Sequence, residues 1–516
     1  MESMESNILE MNHITKIYPN GFVANQDVTL HARKGEIHAL VGENGAGKTT
    51  LMKILFGIEK PDKGEIIYEG KKVEIKCPSD AISLGIGMVH QHFMLVPSLT
   101  VAENILLGMG KGFKRFSLDK AIATTADMAK KYGIDIDPTE KVQNLSVGSK
   151  QRVEILKALI RGAKVLILDE PTAVLTPQES EELFKQLLII KNQGHTIIFI
   201  SHKLREISSF CDRLTVLRLG RSIGERSVKG ISEREISHLM VGRDVLLDYD
   251  KPKRVVGDIV LDVKNLSLKQ ESKDILKDIS LSIREGEIVG IAGVEGNGQR
   301  ELAELITGLR QKDFGQISIL GEAIDDKSIR QIRKMGVSHV PEDRMTYGVV
   351  RDATISENLY ADRYYKREFQ KGLLLDNKKL NTLSDELIKE YTVKCDSREQ
   401  EIRMLSGGNM QKVVIAREFS SCPRLIIANQ PTRGVDIGAS EFIRNYLIRM
   451  RTNGAAVLLV SADLNEVMDV SDRLVVMYGG QIVASFDNPS EVTEQEIGEY
   501  MLGLKRQSKE MDRGNI

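Results

Sequence analysis

Two tandem α/β domains, each built on a mostly parallel sheet flanked by helices, are what the sequence predicts. Three observations lead there. The chain has 516 residues, too many for one ordinary core when domains run to roughly 100 to 200 residues. It repeats itself, block for block, in its two halves. Within each half, short apolar runs such as KVLILDE and TIIFISH alternate with helix-like segments such as ESEELFKQLLIIKNQ, the pattern of strands feeding crossover helices.

The repeat is legible in chain order. GEIHALVGENGAGKTTLMKILFGI at Gly35 to Ile58 matches GEIVGIAGVEGNGQRELAELITGL at Gly286 to Leu309, with Gly42, Gly45 and Gly47 answered by Gly293, Gly296 and Gly298. LTVAENILL from Leu99 answers ATISENLYA from Ala353, and LSVGSKQRVEILKAL from Leu145 answers LSGGNMQKVVIAREF from Leu405. AKVLILDEPT from Ala163 answers PRLIIANQPT from Pro423, and DRLTVLRLG from Asp212 answers DRLVVMYGG from Asp472. The expected domains are 1–247 and 259–504. DYDKPKRVVGD at 248–258, charged and without periodicity, reads as the linker, and the charged tail 505–516 is expected to be solvated.

Composition excludes several classes. Lys plus Arg number 72 against 73 Asp plus Glu, so the large basic field of bulk nucleic-acid binding is missing. MESMESNILE has no basic flank and long apolar run of a signal peptide, and no stretch approaches the ~20 apolar residues of a bilayer span. A soluble, cytosolic chain is expected. Four cysteines, Cys77, Cys211, Cys395 and Cys422, are widely spaced and read as reduced structural thiols rather than a metal or redox site.

The chemistry sits in the first half. GENGAGKT fits G-x-x-x-x-G-K-[ST] after an apolar strand and before an amphipathic helix, so backbone N–H groups and the helix start would wrap phosphates. The loop places Gly42, Asn44, Gly45, Gly47, Lys48, Thr49 and Thr50 around a nucleotide. Lys48 would neutralise the β and γ phosphates and Thr49 would hold Mg²⁺. LILDE ends an apolar strand with Asp169, for the Mg²⁺ shell, and Glu170, to orient or deprotonate the attacking water. Gln91, in MVHQHF, would reach metal and water, and His202, in FISHKL, the γ-phosphate. A lone loop glutamine or post-strand histidine is usually structural; their order behind the P-loop favours the functional reading. His90 and His92 have no partner at metal spacing.

A Walker A loop, a Q-loop, an LSGGQ-like signature, a Walker B strand with its glutamate and an SH histidine, in that order and twice over, resemble the ATPase subunit of an ABC transporter. The resemblance covers nearly the whole chain and implies ABC-type P-loop domains, each with a parallel-sheet core plus a helical subdomain, and ATP with Mg²⁺ as cofactors. It implies that Tyr18, in KIYPNG, stacks on adenine. It also implies head-to-tail pairing, so each ATP lies between the Walker A loop of one half and the signature of another. One site then combines the first-half groups with Ser406, Gly407, Gly408 and Asn409. The other combines LSVGS, Leu145 to Ser149, with a loop where Gln299 replaces the lysine, Arg300 the hydroxyl, Asn429 the aspartate, Gln430 the glutamate and Ala462 the histidine. Val147 further replaces a signature glycine. All the losses fall in one composite site, expected not to hydrolyse; whether it holds nucleotide stays open.

A fused pair of ABC ATPases without membrane spans resembles the importers of simple sugars and nucleosides. That implies separate permeases, an extracytoplasmic substrate-binding lipoprotein, and a peripheral place on the cytoplasmic face of the membrane, with no nucleic-acid partner. VHQHFMLVPSLTVAENILLG, GVEGNGQR and SADLNEV are closer to the nucleoside, basic-membrane-protein-type branch than to the ribose or galactose branch. HFMLVPSL, with Phe93 and Met94, is expected to dock a permease helix, against the plainer reading of local core. The rival is a ribosome-associated translation factor of the same superfamily; Gln430, the short linker and the even charge argue against it.

Overall fold

The computed structural model describes residues 6–19, 21–90, 93–107, 117–172, 175–201, 203–243, 251–252, 256–270, 273–372 and 374–507. They form two compact units, Met1–Val245 and Leu246–Ile516. Gln91 and His202, both expected in the site, lie outside the described residues, as do 248–250 and 253–255 of the expected linker.

Each unit is organised by a six-stranded sheet. In the first, the order across the sheet is Arg221–Ser227, Arg213–Arg218, Ile37–Gly42, Thr196–Ile200, Val165–Asp169 and Ile86–Val89. All neighbours run parallel except the Arg221–Ser227 edge. The second unit repeats it with Gln481–Phe486, Arg473–Tyr478, Ile288–Ala292, Ala456–Val460, Leu425–Asn429 and Val337–Val340. The central strands are buried at every residue. That burial explains why their sequences are continuous apolar runs rather than alternating ones, since helices cover both faces of a parallel sheet. The strand leading into each glycine loop is internal, so the loop opens at the sheet's carboxyl edge beside the ends of its neighbours.

A second sheet in each unit was not anticipated. Asn7–Ile17, Val23–Arg33, Lys63–Tyr68 and Lys71–Val73 make a four-stranded antiparallel sheet, mirrored by Ile259–Gln270, Lys273–Arg284, Phe314–Ile319 and Glu322–Ala323. Register shifts break the pairing, between Met11 and Ile14 and between Val263 and Leu266. His13, Asp27, Asn265 and Asp278 there adopt φ between 50° and 57°. Such bulges break the two-residue alternation by which a strand is recognised.

The repeated blocks at Thr100 and Thr354 open helices Val101–Leu106 and Ile355–Tyr360 with matching capping boxes, Thr100 with Glu103 and Thr354 with Glu357. The described linker residues are tied down: Lys251 Nζ donates to the Ser471 carbonyl at 3.0 Å and Arg451 to the Pro252 carbonyl at 2.7 Å. The start of the tail is also less free than expected. Gln507 pairs with Ser485 through both ends of its amide, at 2.8 and 3.1 Å, extending the edge of strand Gln481–Phe486.

Candidate functional site: a P-loop and its degenerate copy

In the first unit the loop after Ile37–Gly42 leads into helix Lys48–Leu55, with Gly47 as its N-cap at φ 96°. A Cβ on Gly47 would lie 2.4 Å from the Ala24 carbonyl oxygen, so only glycine permits this left-handed turn against the neighbouring strand. Asn25, fully buried, donates its amide to the Gly47 carbonyl at 3.1 Å and pins the turn. The Lys48 side chain curls back into the loop, donating to the carbonyls of Gly42 at 2.7 Å and Glu43 at 3.0 Å. Burial lowers the Lys48 pKa, and the negative charges of Glu170, Asp169 and Glu43 act against that.

Parallel register puts Asp169 opposite Ile200, and Ile200 opposite Leu40 near the loop. Asp169 is buried, and burial together with the Glu170 charge raises its carboxyl to about 6, opposed by Lys48 and by a hydrogen bond with the Thr49 side chain. A buried carboxylate held high by a second carboxylate, with a hydroxyl beside it, is a donor set that a divalent cation satisfies. Thr49 and Asp169 therefore fit Mg²⁺. Glu170 stands at φ 49°, a conformation non-glycine residues rarely take, with its N–H on the Ile200 carbonyl at 3.0 Å.

Tyr18 is half-buried, and its hydroxyl lies 3.4 Å from Thr50 Oγ1 at the start of the P-loop helix. Asn44, Gly45 and Thr49 face solvent there. His90 packs edge-on against Phe56 with centroids 6.0 Å apart. In the second unit Ser406 is the N-cap of helix Gly407–Phe419. Its hydroxyl accepts from the Asn409 backbone at 3.4 Å and side chain at 3.0 Å. Gly408 is buried, and a Cβ there would meet Asp436 Oδ2 at 2.4 Å.

A family model described as "ABC transporter" matches residues 25–173 and 276–433. Among curated proteins, the chain is 46% identical to the "Guanosine import ATP-binding protein NupO" of Bacillus subtilis (strain 168), over 96% of this chain and 97% of that one. The chain belongs to the ABC transporter family. It is 45% identical to the "Nucleoside import ATP-binding protein NupA" of Lactococcus lactis subsp. cremoris, over 96% and 98% of the two chains. With the "Ribose import ATP-binding protein RbsA 1" of Rubrobacter xylanophilus it shares 40% over 95% and 96%. A solved archaeal ribosome recycling factor, aABCE1 in complex with stalk protein aP1, shares the two-domain fold (TM-score 0.61, covering 95% and 92%) at 18% identity. This chain is thus an ATP-binding subunit whose ATPase activity is coupled to transport.

Against that ABC background the second glycine loop is chemically inverted. Gln299 occupies the position of Lys48 and is equally buried. Its amide nitrogen donates to the Val294 carbonyl at 3.1 Å, while its amide oxygen accepts from the Asn297 backbone N–H at 3.1 Å. In the first loop the matching Ala46 N–H is likewise held inside, by the Glu43 carbonyl at 3.0 Å, so what changes is the acceptor, a neutral side-chain amide standing where the ammonium was. Asn429 is buried in place of Asp169. Gln430 keeps the left-handed backbone at φ 51°, and its side-chain oxygen accepts from the Ala462 N–H at 3.0 Å. Arg300 turns to Glu304 at 2.8 Å and lies over the Tyr347 ring at 6.0 Å. The folded arrangement survives while three ionised groups are gone.

Glu206 was missed. Its carboxylate accepts from Thr172 Oγ1 at 2.8 Å and Ser201 Oγ at 2.9 Å, binding the loop after Glu170 to the residue before His202. Glu466 does the same with Thr432 at 2.8 Å. The sequence held a signal: Glu206 and Glu466 occupy matching places in SHKLREI and SADLNEV, unchanged where the catalytic glutamate is not.

Proposed function

We propose that this chain powers the uptake of nucleosides, or of related simple sugars, through separate membrane permeases, hydrolysing ATP on its first-half loop only. The observation that carries it is the contrast between the two loops. One gathers Lys48, Asp169, Glu170 and the Thr49 hydroxyl; the other has neutral amides, Gln299, Asn429 and Gln430, at the lysine, aspartate and glutamate positions.

In this reading Lys48 leaves its loop carbonyls for the β and γ phosphates, and the 43–47 backbone and the start of helix Lys48–Leu55 cradle them. Thr49 and Asp169, with Gln91, would hold Mg²⁺, which supplies charge neutralisation between the phosphates. Glu170 takes the proton of the attacking water, His202 contacts the γ-phosphate, and Tyr18 stacks on the base. Ser406, Gly407, Gly408 and Asn409 act as a second phosphate nest for a nucleotide on a first-half loop, in the same chain or another. Closure on ATP and reopening after hydrolysis would move the permeases.

Support for the cargo comes from relatives whose names specify guanosine, nucleoside and ribose import. Among the described residues no helix is long and apolar enough to cross a membrane, in keeping with peripheral attachment on the cytoplasmic face and an external binding lipoprotein as a further partner. Beside Met94, 61% exposed, lies a cleft of about 250 Å³ lined by Phe56, Met88, His90 and Ala158, the expected permease socket.

The test uses the assembled complex. Glu170→Gln should abolish nucleoside-stimulated ATP hydrolysis and Gln430→Glu should leave it within about twofold; near-normal turnover in the first variant rejects the assignment. Stimulation by sugars instead of nucleosides would move the cargo to the second class.

A further inference from the structure

The two halves present different chemistry at the place where the first half has its cleft. The floor of that cleft is apolar and close-packed: a Cβ on Gly87 would come within 2.9 Å of Ala163 and 3.0 Å of Ala158. Two of its charged groups are occupied locally. Glu154 accepts from the Met94 N–H at 2.7 Å and Lys157 Nζ donates to the Met94 carbonyl at 2.9 Å. What stays open is a socket for an apolar side chain.

Sheet register locates the matching place in the second half. Gly87 pairs with Leu166 as Ser338 pairs with Ile426, and Ala158 of the repeat becomes Glu418. Ser338 Oγ donates to the Glu418 carbonyl at 2.8 Å, so the two positions touch in both halves. Here the floor is a charged cluster. The Glu418 side chain is 2% exposed and accepts from Arg333 at 2.9 Å, Arg417 at 3.0 Å and the His339 N–H at 3.2 Å. Arg333 also faces Asp362 at 3.7 Å, and Asp362 holds the buried Arg363 at 2.8 Å. A buried network of paired charges resists entry by an apolar side chain, because separating its members would leave unpaired ions.

The rim of this face carries more basic than acidic side chains, with the exposed Asp325 and Asp326 standing just ahead of the helix. Helix Ile329–Lys334, IRQIRK, carries no acidic residue. Arg330 lies exposed over the Tyr365 ring at 4.0 Å, and Lys334, Lys366 and Arg367 are exposed nearby in sequence. Glu368 is the one exposed acid of the 361–367 turn and its continuation to Phe369.

We propose that the second half docks an acidic cytoplasmic segment of a membrane partner on the Arg330–Lys334 face, whereas the first half docks an apolar one at Met94. The two halves are then not interchangeable readers of their permeases, and charge complementarity at the second fixes which partner segment goes where. This rests on the permease-docking reading above.

The full complex, reconstituted with its permeases, tests it with Met94→Glu and with the double variant Arg330→Glu, Lys334→Glu, both at exposed positions outside the nucleotide loops. Reversing two charges opposite an acidic segment should lower cargo-coupled ATPase about tenfold. Wild-type retention of the permeases should weaken as ionic strength rises, and the residual retention of the double variant should lose that salt dependence. If Met94→Glu uncouples while the double variant keeps both wild-type coupling and wild-type salt dependence, the second-half assignment is wrong and the docking reading stands. If neither variant changes coupling, the docking reading falls, and this inference with it.

Discussion

Adding one methyl group to each signature loop separates folding from catalysis. In Gly408→Ala the new Cβ would sit 2.4 Å from Asp436 Oδ2 and 3.0 Å from the Ala439 Cβ. Asp436 caps helix Ile437–Thr452, accepting from the Ala439 N–H at 2.7 Å. The methyl must push out this short, anchored carboxylate, losing a cap worth about 0.5–2 kcal/mol and overpacking the helix start at about 1–3 kcal/mol. A net loss of about 2 kcal/mol is expected. In Gly148→Ala the obstacle is Glu179 Oε1 at 2.6 Å, the end of a longer side chain that can swing away. The Thr176 hydroxyl goes on accepting from the Glu179 N–H at 3.2 Å, so about 1 kcal/mol is expected. With about 2–4 °C per kcal/mol for a unit of this size, calorimetry should show a larger fall in the second unit for Gly408→Ala than in the first for Gly148→Ala. ATP hydrolysis should separate the variants further. Displacing the Ser406–Asn409 helix start should cost about a hundredfold, whereas Gly148→Ala, next to Val147, should stay within a few fold of wild type. If both variants lose hydrolysis equally, the assignment of all turnover to a site completed by Ser406–Asn409 is refuted.

Other expectations follow from the same contacts. Glu206→Ala removes the acceptor shared by Thr172 and Ser201, so kcat should fall about tenfold with little change in the KM for ATP, a split that steady-state kinetics reads directly. Gln299→Ala frees the Asn297 N–H of the second loop, while the Val294 carbonyl keeps the Asn297 side-chain amide at 2.9 Å; hydrolysis should be unchanged, and hydrogen exchange at Asn297 should accelerate. His339 is held down to about 4 by burial, with Glu418 and Glu304 opposing and Arg333 and Arg417 assisting. Its folded pKa lies below the unfolded value, so the second unit should lose stability as pH falls from about 6.5 towards 4. His339→Gln should flatten that slope in denaturant titrations.

Local chemistry was legible because it is carried by short spacings. The eight residues of GENGAGKT, the LILDE ending and the LSGGN signature each place their functional groups within a single turn or strand end, so their absence from GVEGNGQR and LIIANQ was equally readable. The parallel core strands were visible as unbroken apolar runs because both their faces are covered. The antiparallel sheets were not, because bulges at His13, Asp27, Asn265 and Asp278 shift the alternation within a strand.

By itself, then, the sequence determined that there are two homologous halves, which one keeps the ionised groups of an ATPase, and where each loss lies. Only the tertiary structure decided what the changed residues do. That Asp169 bonds Thr49 across 120 residues of chain, that Gln299 closes its own loop, and that Glu418 fills with charge the place where Ala158 leaves a cleft all depend on contacts set by sheet register. A glutamine that replaces a lysine reads in the sequence as a lost charge. Folded, its two-ended amide donates to the Val294 carbonyl, as Lys48 does to the matching Glu43 carbonyl, and also accepts from the Asn297 N–H, which an ammonium cannot do.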